Sequence, residues 1–317
     1  MIKTLQVRNV DSLVESIRQK TSDKDRKIVQ AILDDVRKNG DAAVKKYEQK
    51  FNGRKTISLR VSKKEIKQAK ITKTQFDALR LSALRLSNAQ RSLKKRLSDS
   101  VSKLPGISFI PIPSVGCYVP GGQARYPSSA IMSAITAAEA GVKRIVITSP
   151  PGPDGKIDPM TITIAEKCGA EIYKIGGAQA ICALAYGTKS IQKVDKIVGP
   201  GGKFVSIAKA IVSEQTSIDM IAGPTELGII ADSTVDPELV ALDLISQAEH
   251  SSDTMCFVIT ASKTMAKQIQ KALEKLIPDV ERSAIVKQSI SKNGFIAICK
   301  NQKEAIDLAN KIAPEHM

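Results

Sequence analysis

From about residue 115 onward, short β-branched runs repeatedly end at glycine and give way to helical stretches. Arg144-Ile145-Val146-Ile147-Thr148 ends at Ser149-Pro150-Pro151-Gly152, and a helix is predicted from Pro159 to Cys168. Glu171-Ile172-Tyr173-Lys174-Ile175 ends at Gly176-Gly177, with a helix predicted through Ala178 to Tyr186. Lys196-Ile197-Val198 ends at Gly199-Pro200-Gly201-Gly202, before a helix from about Phe204. Further strands are predicted at 227–231, 254–260 and 294–299. Strands that alternate with helices must run parallel, because each helix carries the chain back to the same edge of the sheet. The pattern therefore predicts an α/β fold with parallel sheets.

The first hundred residues have another texture. Residues 22–51 are predicted to form one helix, with Ser22 as N-cap before Asp23 and Asp25 and with Ile28, Ile32, Val36, Val44 and Tyr47 near one face. Residues 73–100 give a second long helical stretch. This third of the chain holds 26 Lys+Arg against 11 Asp+Glu, a net of +15, whereas residues 101–317 hold 22 against 21. A basic excess raises nucleic acid as a partner, but it is spread along helical patterns, and no zinc-finger or RNP motif accompanies it. Solvated helix faces are the plainer reading.

With 42% hydrophobic residues but only 3% aromatics and no Trp, any core must be aliphatic. No run of about 18 apolar residues is present, so no membrane span is expected. The start, Met1 to Gln6, lacks the apolar core of a signal peptide. Cys117, Cys168, Cys182, Cys256 and Cys299 are scattered and odd in number. They fit reduced, mostly core thiols in a cytoplasmic protein.

Glycine junctions at the carboxyl ends of parallel strands let backbone N–H groups approach an anion. Four occur here: Gly121-Gly122, Gly176-Gly177, Gly199 to Gly202, and Gly223-Pro224-Thr225. They predict a nucleotide or other anionic ligand, although GxGxxG is missing and Gly201-Gly202-Lys203 is followed by Phe204 rather than the Ser or Thr of a P-loop.

Only two histidines are present, so imidazole chemistry must use them. Gln247 and His250 are three apart on a helix predicted from Pro237, a spacing that puts both on one face as two possible metal donors. Glu315 and His316 follow Pro314 and suit proton transfer. The competing readings are a helix-end His without metal and two solvated residues at a frayed terminus.

These segments, in order, resemble the histidinol dehydrogenase family. The resemblance is carried by Gly116-Cys117-Tyr118-Val119-Pro120-Gly121-Gly122, Ile175-Gly176-Gly177-Ala178-Gln179-Ala180-Ile181, Val194 to Gly201, Ile218-Asp219-Met220-Ile221-Ala222-Gly223-Pro224-Thr225-Glu226, Leu244 to His250, and Ala313-Pro314-Glu315-His316. It implies zinc-dependent oxidation of L-histidinol through histidinal to L-histidine, with reduction of two NAD, by a cytoplasmic homodimer. It implies two Rossmann-like, incomplete parallel-sheet domains with an N-terminal helical segment: residues 1–117 plus 227–317, and an inserted 118–226. By position, Tyr118, Gln179 and Gly202 would touch NAD, with Gly202 standing where the family usually has Asn. Thr225, in place of the usual Ser, would touch substrate together with Gln247, His250 and His316. Gln247 and His250 would also bind zinc, and Glu315 and His316 would be the acid–base pair.

The family pattern continues past the Glu-His pair and supplies there an Asp and a His of the zinc shell. Within these 317 residues the resemblance thus implies half a zinc site, and a chain lacking the rest is expected to have very low activity. The rival functions are a dehydrogenase of another amino alcohol and a shortened, inactive paralogue that acts as a binding protein.

Overall fold

A computed structural model describes residues 2–17, 23–53, 58–121, 125–221 and 225–317. The chain starts with β1 (Lys3–Gln6) and α1 (Val10–Ile17). Four helices follow: α2 (Asp23–Asn39), α3 (Asp41–Asn52), α4 (Lys63–Gln68) and α5 (Lys73–Val101). The single helix expected over 22–51 is two, because Gly40 adopts φ +53° and ψ −130°, a conformation that an L side chain resists. Ser22, the expected N-cap, lies outside the described residues. The helix expected at 73–100 is α5, opened by a capping box between Thr72 and Gln75.

The alternation then begins with β2 (Ser114–Tyr118). After it, α6 (Pro127–Ala130), a π-turn at Ile131–Ile135 and α7 (Thr136–Ala140) follow without a break. Next come β3 (Arg144–Ser149), α8 (Pro159–Lys167), β4 (Glu171–Lys174), α9 (Gly177–Tyr186), β5 (Lys196–Val198), α10 (Lys203–Val212) and the short β6 (Ser217–Ile218). The strands form one parallel sheet in the order β4-β3-β2-β5-β6. The chain moves outward from β2 to β4, then returns to β2's other side for β5. The topological switch point lies between β2 and β5, and ligands of such sheets sit beyond the carboxyl ends there.

The chain divides into two compact units, Met1–Lys20 with Gly223–Met317, and Thr21–Ala222. The boundaries expected at 117/118 and 226/227 therefore move. The first shifts by almost a hundred residues, and the reason is packing. Val29, Ile32, Leu33 and Val36 of α2 join Ile181 and Leu184 of α9 and Val205 and Ala208 of α10 on one face of the five-stranded sheet. Leu79 and Ala83 of α5 join Ile131, Ala134, Ile162 and Ala165 on the other face. The N-terminal helices thus complete the second unit, and their basic residues, such as Arg80, Arg85, Lys95 and Arg96, are exposed.

The first unit resumes with β7 (Glu226–Ile230), α11 (Pro237–Ala248), β8 (Met255–Thr260), α12 (Lys263–Leu276), α13 (Ser283–Asn293), β9 (Phe295–Ile298) and α14 (Gln302–Ile312). Its parallel sheet has the order β1-β9-β8-β7. Along β8, Met255, Phe257 and Ile259 face α1 and α14, while Cys256 and Val258 face α11, α12 and α13. Both faces are covered, so the strand is apolar throughout rather than alternating. Phe257 and Phe295 stack with centroids 4.9 Å apart. Among the described residues no helix is long and apolar enough to cross a membrane.

A buried ion pair fixes the turn after β5. Lys209 on α10, 2% exposed, donates to the Gly199 carbonyl at 3.0 Å and to Asp219, which follows β6. Asp219 in turn accepts the Gly199 and Met220 N–H groups at 2.8 and 2.7 Å. Gly199 has φ +110°, and a β carbon there would lie 2.1 Å from the Tyr118 carbonyl oxygen, so only glycine lets this turn touch the end of β2. Burial alone would raise the Asp219 carboxyl, but the hydrogen bonds from Lys209, Gly199 and Met220 hold it below its ordinary value of 3.8. A depressed carboxylate contributes stability that is present above the ordinary value and lost as pH falls through the folded one. Lys209→Met is therefore expected to cost about 2–4 kcal/mol near neutral pH. It should also flatten the fall in stability on acidification below pH 3.8, as urea melts at several pH values would read out.

Candidate functional site

The expected residues separate into two groups, one in each unit. In the second unit, Tyr118 ends β2, Gln179 lies in the first turn of α9, and Gly202 is the N-cap of α10. All three lie at the carboxyl edge of the sheet, where a doubly wound fold places ligands. Tyr118 and Gln179 are only 5% and 1% exposed. The Tyr118 hydroxyl accepts the Gly177 N–H at 3.1 Å, and burial pushes its pKa up to about 12, so it stays protonated. Gln179 Nε2 donates to Glu48 Oε1 at 2.8 Å, while Gln179 Oε1 is buried with no hydrogen-bond partner. At Gly202 a β carbon would meet nothing within 4 Å, so there is room for a side chain.

The glycine junctions are not equivalent. At the N-terminus of α9 two N–H groups are taken within the protein: the Gly176 N–H goes to Glu48 at 2.9 Å and the Gly177 N–H to Tyr118. The Gly199 N–H goes to Asp219. Among the described residues of the expected anion cradles on this sheet, Gly202 at the start of α10 has open space at the N-cap. Gly122, Gly223 and Pro224 lie outside the described residues.

In the first unit Thr225, Gln247, His250, Glu315 and His316 gather at the opposite, amino-terminal edge of the sheet. Thr225 immediately precedes β7, and its carbonyl accepts the Met255 N–H at 3.0 Å. Helix α11 runs back from the end of β7 toward the start of β8, which carries Gln247 to the same edge. His250 is not on the helix, as its spacing suggested: α11 ends at Ala248, and His250 lies in the following turn, where its N–H donates to the Gln247 carbonyl at 3.1 Å. The His250 ring is exposed, and its Nδ1 sits 3.1 Å from the Ser246 carbonyl. A carbonyl accepts only, so Nδ1 is the donor in this contact and Nε2 is left out of it.

Residues 315–317 are not frayed. The His316 N–H donates to the Glu226 carbonyl at 3.1 Å and the Gly228 N–H donates to the His316 carbonyl at 2.9 Å, an incipient strand on the edge of β7. His316 Nε2 lies 3.9 Å from Glu315 Oε1, both side chains being about half exposed. Sequence reasoning passed over one neighbour, Glu226. Burial and the adjacent Glu315 carboxylate push its carboxyl above the ordinary range, against the pull of the Glu315 backbone N–H. Its place in the Thr225-Glu226 run was visible, but not that the end of the chain would lie across it.

Among the described residues no group of three or more His, Cys, Asp or Glu converges on one point. Gln247 and His250 offer two donors, short of the three protein ligands of a catalytic zinc. All five cysteines are free, and burial pushes their thiols up to about 11 or 12, so none is a thiolate nucleophile near neutral pH.

Gly228 is the position that tests the Glu315–His316 placement. A β carbon there would lie 2.7 Å from Phe257 Cζ and 2.9 Å from Met317 Cε. The Phe257 ring is fully buried and cannot yield. Gly228→Ala is expected to cost about 1–3 kcal/mol and to expel residues 315–317 from the β7 edge. Hydrogen exchange at the His316 amide, fast in the variant and slow in the parent, checks this.

The family model for histidinol dehydrogenase matches residues 16–317. The chain is 44% identical over 316 residues to histidinol dehydrogenase of Oceanobacillus iheyensis, covering 97% of this chain and 73% of that protein. It is 41% identical to that of Bacillus licheniformis over 323 residues, covering all of this chain and 75% of the relative. Its fold matches the crystal structure of histidinol dehydrogenase from Elizabethkingia anophelis with a TM-score of 0.80 at 31% identity, over 99% of this chain and 75% of that one. With that match across nearly all its length, the chain belongs to the histidinol dehydrogenase family.

Proposed function

We propose that the chain oxidises L-histidinol through histidinal to L-histidine, with Glu315 and His316 as the acid–base pair. The observation that carries this reading is the docking of residues 315–317 on the edge of β7, which brings Glu315 and His316 alongside the first residues of that strand. His316 Nε2 accepts the carbinol hydroxyl proton in the first oxidation. Glu315 accepts a proton from the water that adds to the aldehyde before the second. A proton acceptor held within reach in each step fits the general-base role. Thr225 contributes a hydroxyl for the substrate's polar groups.

NAD, when bound, supplies the hydride acceptor for both oxidations. Its holders would be Tyr118, Gln179 and the start of α10 at Gly202. The orphaned Gln179 Oε1 and the open space at Gly202 support this assignment. Gln247 and His250 would contribute two donors to zinc, with His250 Nε2 presented by the hydrogen bond at Nδ1. Two donors hold zinc weakly, and no proton transfer above is assigned to the metal.

A cytoplasmic setting is supported by the five free thiols. A homodimer is supported by an apolar groove of about 770 Å³ on the second unit, lined by Leu93, Leu97, Phe109, Ile110 and Met132.

The test is NADH formation from L-histidinol and NAD at alkaline pH with added zinc. We expect slow, histidinol-dependent turnover, reduced about 100-fold or more in His316→Ala and Glu315→Gln. Gly202→Asn, which adds a good N-cap side chain in open space, should lower the KM for NAD without loss of stability. Equal rates in parent and acid–base variants would refute the assignment.

A further inference from the structure

Glu48 lies on α3, 128 residues before Gly176, and is completely buried. Its Oε1 accepts two hydrogen bonds, from the Gly176 N–H at 2.9 Å and from Gln179 Nε2 at 2.8 Å. A carboxylate is at home there, because the first turn of α9 carries unpaired N–H groups and the positive end of the helix dipole. The carboxylate also dictates how Gln179 stands. Glu48 Oε1 takes the Gln179 Nε2 donor beside the Gly176 N–H, so the Gln179 oxygen is turned away from it. That oxygen lies over Gly177, where a β carbon would approach it to 2.8 Å, and it has no hydrogen-bond partner although its residue is 99% buried. Gly177, at φ +62°, has no side chain of its own to crowd that oxygen.

We propose that Glu48 is a positioning residue that locks the Gln179 amide with its oxygen presented to the cofactor, so that the group received there is a hydrogen-bond donor. This rests on the reading above, in which NAD is held by the second unit. On a nicotinamide dinucleotide the donors are the carboxamide and adenine amino groups and the ribose hydroxyls. The phosphates carry none, and the Gly176 and Gly177 N–H groups that a pyrophosphate would draw on here are already taken by Glu48 and Tyr118. Glu48 thereby sorts the two glycine junctions: α9 receives a donor of the cofactor, and α10 is left for the anion.

The experiment uses direct binding of NADH to the full chain, followed by the ligand's own fluorescence; the protein has no Trp to interfere. Glu48→Gln keeps an acceptor oxygen and should retain binding within about threefold, whereas Glu48→Leu should weaken it about tenfold or more. If Glu48 acts through Gln179, the Glu48→Leu effect should fall below about twofold in a Gln179→Leu background. Should Glu48→Leu not fold, Glu48→Asp, whose carboxyl is withdrawn by one methylene, takes its place in the same cycle. Effects of the two positions that multiply, or a Glu48→Gln variant as weak as Glu48→Leu, would overturn the proposal. If the parent chain does not bind NADH, the cofactor reading fails and this inference falls with it. If the parent binds and Gln179→Leu weakens binding while the Glu48 variants do not, only the role of Glu48 fails.

Discussion

A parallel sheet has two apolar faces, and both must be covered before it is stable in water. Much of this structure follows from that requirement. The connections between β2 and β6 supply helices to both faces of the five-stranded sheet, yet they do not cover it alone. Helices α2 and α3 complete one face and α5 the other. Recruiting α3 brings Glu48 to the start of α9, and seating α10 against α2 puts Lys209 beneath the turn at Gly199. The polar contacts that shape the carboxyl edge are thus by-products of apolar coverage.

The same rule acts differently in the four-stranded sheet. There each helix must return the chain to the amino-terminal edge, so the segments after α11 and α14 end up beside the starts of β7 and β8. Gln247, His250, Glu315 and His316 lie on those returns. The edge strand β7 keeps a row of backbone groups for pairing, and residues 315–317 use it. An edge that would otherwise invite association with another chain is partly closed by the protein's own residues.

From β3 onward most strands and helices were legible in the sequence, because β-branched runs bounded by glycine leave little choice: Lys196–Val198 and the start of α11 at Pro237 fall where the sequence places them. β1 and the short β6 escaped; two residues carry no period, and Lys3–Gln6 stands apart from the alternating region. The domain division was not legible, because the apolar stripe of α2 states that it packs but not on what. At the site, the resemblance pointed to Tyr118, Gln179, Gly202, Thr225, Gln247, His250, Glu315 and His316 by position along the sequence. Glu48 and Lys209 were invisible, because a buried carboxylate or ammonium reads in sequence like any solvated charge until its partners, far along the chain, are known. The break at Gly40 was visible as a residue but not as a conformation.

His250 shows how the end of a helix sets the side chain that follows it. With the Ser246 carbonyl accepting from Nδ1, the ring is anchored through that nitrogen and Nε2 stays outside the contact. The hydrogen bond exists because α11 ends at Ala248 and frees its last carbonyls, Ser246 among them. Had the helix continued through residue 250, as the spacing suggested, the ring and Gln247 would share a face but the Ser246 carbonyl would be consumed within the helix. Ending the helix two residues early exchanges backbone hydrogen bonds of a last turn for a histidine ring anchored through Nδ1.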